Sequence, residues 1–108
     1  MGVGKRSGTR VDCEIAVRLD LVDSIHVSSF EPGTIILVNP RGCAARFGHA
    51  IKIGASVRLA GLPGKSTVTA RVVNCFWPGE FARFWILGLA LDEPGNVWGV
   101  ENPPEDWF

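Results

Sequence analysis

Arg6 and Arg10 flank Ser7-Gly8-Thr9, with Lys5 just before them, in a stretch too polar and too glycine-rich to build a core. Two guanidinium groups on such an arm can close on a phosphate. They can equally take the Hoogsteen edge of guanine through paired hydrogen bonds. A second polar element, Asn39-Pro40-Arg41-Gly42, interrupts an otherwise apolar run. Pro40 fixes its own φ and lacks an N–H, and Gly42 can take a positive φ, so a tight turn is expected there. Gly42 would also let a ligand approach the backbone closely, and Asn39 can both donate and accept. Cations beside an amide-bearing corner suit the recognition of an anion or a nucleobase.

Catalytic chemistry has little to stand on. His26 and His49 lie in separate loop-like stretches without a cysteine or carboxylate at metal-ligand spacing, so no metal site is expected. No serine sits in a nucleophile elbow. Glu101, Glu105 and Asp106 flank prolines and read as solvated charge. The expectation is a binding protein rather than an enzyme, with no cofactor.

The elements that must position these residues read as strands. Residues 12–21 alternate almost strictly, with Cys13, Ile15, Val17, Leu19 and Leu21 on one face and charged residues on the other. Ile35 to Val38, dense in β-branched side chains, reads as a strand buried on both sides. Pro32-Gly33 before it reads as a turn, and Gly54 as another. Residues 56–61 and 67–76 form further strands around a hairpin at Leu62-Pro63-Gly64-Lys65. After Trp77-Pro78-Gly79-Glu80, residues 84–91 make the last strand, with Trp85 in the core. Turn signals at this spacing favour a small antiparallel sandwich or barrel. Trp98 and Trp107 should dock the tail on it, with a helical turn near Asn96 to Gly99 capped by Asn96, and an extended exit at Pro103-Pro104.

A chain of 108 residues fits one domain, divided here into a flexible arm (1–11) and a barrel (12–108). Eleven basic residues balance eleven acidic ones, which gives no electrostatic reason to expect a nucleic-acid polymer as partner. Three widely spaced cysteines in or beside apolar runs suggest reduced, buried thiols and a cytoplasmic setting. No signal peptide and no membrane span is expected.

An arginine arm, a strand, and a polar corner on the next long strand together resemble the PilZ domain family of cyclic di-GMP receptors. Lys5-Arg6-Ser7-Gly8-Thr9-Arg10 is similar to the family's first motif throughout. The second motif runs Asp or Asn, any residue, Ser, two of any residue, then Gly. Anchored on Gly42, and on Gly54 beyond it, that stretch is Leu37-Val38-Asn39-Pro40-Arg41-Gly42. Leu37 then stands where the family has an acid or amide, and Asn39 where it has Ser. The ending, Pro94-Gly95-Asn96-Val97-Trp98-Gly99 followed by Pro103-Pro104-Glu105-Asp106-Trp107, resembles a bacterial subgroup. The resemblance implies an all-β, six-stranded antiparallel barrel with a short C-terminal helical turn. It implies that Arg6, Arg10, Asn39 and Gly42 bind cyclic di-GMP, and that an unidentified regulatory protein reads the bound state. Without an acceptor at Leu37, a charge-assisted hydrogen bond to the base is not made, which weakens such binding by about 1.5–3 kcal/mol. The alternative is a protein-interaction module on the same fold that takes no ligand.

Overall fold

The computed structural model describes residues 8–22 and 31–107. Six strands, β1 (Val11–Leu21), β2 (Glu31–Asn39), β3 (Gly42–Phe47), β4 (Ser56–Ala60), β5 (Thr67–Phe76) and β6 (Trp85–Leu91), precede one 3-10 turn, Glu105–Trp107. All pairings are antiparallel, and the sheet closes in the order β1-β2-β3-β6-β5-β4. Two three-strand meanders, one from each half of the chain, thus join edge to edge through β3–β6 and β1–β4. Closure pairs the strands that would otherwise be edges.

Period-two side chains fill the interior. Ile35, Val57, Leu59, Ala70, Val72 and Leu87 have no exposed surface. The pairings place the start of β1, the end of β2 and the start of β3 at one mouth, with the end of β6 and the β4–β5 hairpin. The segment after β6 crosses this mouth, and Trp98, 1 % exposed, belongs to the core there. Gly64 N–H donates to Val97 O at 2.9 Å, fastening the hairpin to that segment. Gly54, at φ 96°, makes the expected turn between β3 and β4.

Several expectations need correction. Pro32 and Gly33 lie inside β2 rather than in a turn. The β3 pairing ends at Phe47 opposite Gly33, so Pro32 is paired with Arg18 of β1 alone and sits where β2 is open on its other side, a place a strand tolerates proline. The run from Ile35 to Val38 is not buried on both sides. A register shift between Ile35 and Leu37 turns Ile35 and Val38 inward and leaves Ile36 and Leu37 half-buried. Leu21, opposite Val57 in the last β1–β4 pair, is exposed because the inner face runs out at the barrel's end. Asp20 beside it is buried and paired with Arg58 at 3.6 Å. Trp85 is half-buried and meets Trp77 edge to face, centroids 5.3 Å apart, instead of entering the core. The helical turn comes at Glu105–Trp107, where Trp107 N–H donates to Pro104 O. Residues 96–99 form only a turn, tied by the Asn96 side chain to both backbone groups of Val100. The three cysteines are free and half-buried. No helix among the described residues is long and apolar enough to cross a membrane.

Candidate functional site

The β2–β3 corner is fixed from inside and from the tail. Asn39 Oδ1 accepts the N–H groups of Arg41 at 2.8 Å and Gly42 at 3.0 Å, an Asx-type turn. The carbonyls of Asn39, Pro40 and Arg41 accept from Trp98 Nε1 (2.7 Å), Gly95 N–H (2.7 Å) and Leu91 N–H (2.8 Å). Gly42 departs from its expected role. Its φ is not positive, and what approaches its backbone is β6: a Cβ there would overlap Leu89 O and lie 3.2 Å from Ala90 Cα. Glycine at this position is a requirement of strand packing.

The arm reaches the same corner. Gly8, buried and at φ 104°, sits so close to the corner that an added Cβ would lie 3.1 Å from Pro40 Cδ. Thr9 N–H donates to both carboxylate oxygens of Asp106 at 3.0 Å, and its hydroxyl donates to Oδ2 at 2.6 Å. Thr9 O accepts Trp107 Nε1–H at 2.6 Å. Asp106 keeps the solvent exposure its proline-rich setting suggests, but it is also held by Thr9. The Thr9 hydroxyl, then the Thr9 amide, hold its carboxyl below the usual range. Arg10 follows, exposed, and β1 begins at the next residue. Arg6 lies outside the described residues, as does His26.

Arg10, Leu37, Asn39 and Gly42 share one open cleft of about 410 Å³ on the outer face of β2, β3, β6 and β5. Its other polar groups are Arg41 and Asn74, and its apolar lining includes Ala44, Phe76 and Ile86. Gly88 keeps the cleft open beside Asn74, whose Cβ would stand only 3.0 Å from a Cβ at that glycine. The volume falls in the range of small-molecule sites, and the lining mixes cations and amides with flat apolar surface. Because Asn39 Oδ1 is engaged in the turn, that side chain offers a ligand only the donors of its Nδ2. Leu37 adds no acceptor.

Sequence reasoning misses four contributors. Arg41 reads only as a turn residue, although its place between Pro40 and Gly42 exposes it at the corner. Asn74 is a lone amide in an apolar strand, which is a visible signal. Phe76 and Ile86 come from strands whose pairing brings them to β3, and nothing local announces that. Elsewhere, Glu14 pairs with Arg46 at 3.2 Å, and Arg46 stands 5.3 Å from the Phe84 ring centroid. His49 pairs with Glu31 at 3.2 Å. A smaller hollow of about 260 Å³ lies between Lys65, Thr69, Glu93 and Val97, away from the arm. Burial pushes the Cys43 thiol well above the ordinary range, and its side chain packs against the core. No family model matches the chain, and no curated protein matches it.

Proposed function

We propose that this chain is a PilZ-like regulatory domain of the cytoplasm that takes cyclic di-GMP into the cleft between its arginine arm and the β2–β3 corner. The observation that carries this is the meeting of two sequence-distant elements. Arg10 and the Asn39–Gly42 corner line the same cleft, and Gly8 of the arm rests against Pro40. Arg10 offers a planar fork of donors to a phosphate or to guanine O6 and N7, and Arg41 adds a second cation at the rim. Phe76, 44 % exposed on the cleft wall, offers a face for a purine. Leu37 supplies no acceptor for the guanine edge, so the affinity is lower than an acid or amide there would give. Binding closes the Arg10 side chain over the ligand at the corner, and a protein partner reads the altered surface.

The protein-interaction reading draws on one specific observation. The apolar lining continues onto Val73 and Phe76, both exposed, where a polypeptide could pack as well as a base. Thermal unfolding with and without cyclic di-GMP separates the two. A receptor gains about 2.7 kcal/mol at a ligand concentration one hundred times its Kd, and an interaction module gains nothing. Cyclic di-AMP, of matching charge but without guanine, is the control.

A further inference from the structure

The segment after β6 touches both halves of the cleft without lining its centre. At the corner, Gly95 N–H and Trp98 Nε1–H take the carbonyls of Pro40 and Asn39, beside the bond from Leu91 N–H at the end of β6 to Arg41 O. At the arm, Asp106 and Trp107 take every polar group of Thr9: amide, hydroxyl and carbonyl. Thr9 is the residue before Arg10, so the direction in which the chain presents Arg10 depends on this contact. We infer that the segment after β6 is a strap that sets the spacing of arm and corner, with Asp106 and Trp107 as positioning residues for Arg10. The inference rests on the receptor reading for its consequence in binding, while its structural core stands on Thr9 alone.

The strap makes a prediction opposite in sign to simple electrostatics. Asp106 carries a negative charge near an arm that is to meet an anionic ligand. If Asp106 acted only through its charge, neutralising it would strengthen binding of an anion. A positioning role requires the reverse, because Arg10 then loses its held backbone and must be ordered at the moment of binding. Coupling between sites is reciprocal, so a ligand that bridges arm and corner must also tighten the contact of Thr9 with Asp106 and Trp107.

The test compares wild type, Asp106→Ala, Trp107→Phe and Thr9→Ser by amide hydrogen exchange, backbone relaxation and calorimetric titration with cyclic di-GMP. Thr9→Ser keeps the amide, the hydroxyl and the carbonyl, and serves as the conservative variant. The strap predicts a protected Thr9 amide in wild type and Thr9→Ser, and an unprotected one in Asp106→Ala, with barrel amides unchanged in all. It predicts at least a tenfold loss of affinity in Asp106→Ala, a smaller loss in Trp107→Phe, and ligand-induced gain of protection at Thr9 in wild type. A protected Thr9 amide in Asp106→Ala overturns it, and so does binding there as tight as wild type or tighter. Should wild type bind no cyclic di-GMP, the receptor reading falls and the strap is decided by Arg10. A backbone amide there that is ordered in wild type and loosened in Asp106→Ala upholds it, and equal order in both overturns it.

Discussion

Replacing Gly42 by alanine places a methyl group on the backbone of β6. The added Cβ would overlap the Leu89 carbonyl oxygen and stand 3.1 Å from Leu89 C and 3.2 Å from Ala90 Cα. These are main-chain atoms, so no side-chain rotation relieves the clash; β3 and β6 must separate at the Gly42–Ala90 pair. Overpacking of this kind costs roughly 1–3 kcal/mol. The separation also strains the Leu91 N–H to Arg41 O bond, worth a further ~0.5–1.5 kcal/mol. A total of about 1.5–4.5 kcal/mol lowers the melting temperature by about 6–18 °C, at roughly 4 °C per kcal/mol for a domain of this size. Thermal unfolding followed by tryptophan fluorescence measures it. Gly48→Ala is the matched control, since a Cβ there meets nothing within 4 Å and should change stability by less than about 0.5 kcal/mol. A Gly42→Ala protein melting within about 2 °C of wild type would refute the close-approach argument.

Trp98→Ala should destabilise by about 3–5 kcal/mol in urea unfolding, because the ring is 1 % exposed and its N–H holds the Asn39 carbonyl. A loss under about 0.5 kcal/mol would show that the ring is not core. Leu37→Asp should leave the barrel folded, since Leu37 lines the cleft and not the interior. Its cross-strand neighbour is Asp12, so a like-charge penalty of roughly 0.2–1 kcal/mol is expected. The same variant should bind cyclic di-GMP at least about tenfold more tightly by calorimetry, and an unfolded or weaker-binding protein would place the side chain wrongly. Asp106 has its carboxyl lowered in the folded state, so its hold on Thr9 is present above the unfolded carboxylate range and is lost as pH falls through the folded value. Thr9 amide protection should accordingly persist from neutrality to about pH 4 and fail only below it; failure between pH 7 and 5 would assign the hold to another group.

Most of the barrel was legible because a half-buried strand writes its geometry in period two. The alternation at β1 and the bounds of β5 come directly from that rule. It misled where local pattern and closure disagree. Leu21 continues the apolar face past the end of the interior, and the apolar density of β2 hides a bulge that sends Leu37 outward. Pro32 is a turn residue by chemistry, yet it is tolerated where β2 is paired on one side only, with Arg18 of β1. The candidate site was legible at Arg10, Asn39 and Gly42 because arm and corner carry residue types with little use in a core. The reason for Gly42 was not, since the atoms that demand glycine belong to Leu89 and Ala90, far along the chain. Asp106 escaped for the same reason: its partner, Thr9, lies at the opposite end of the described chain, and no spacing rule connects them.

Titration calorimetry of wild type and Arg10→Ala with cyclic di-GMP tests the central claim most directly. Saturable heat is expected for wild type below millimolar ligand. Arg10→Ala should abolish it with the melting temperature unchanged, because Arg10 is exposed and contributes little to the core. No heat from wild type at millimolar ligand, or equal affinity in the two proteins, would contradict the claim.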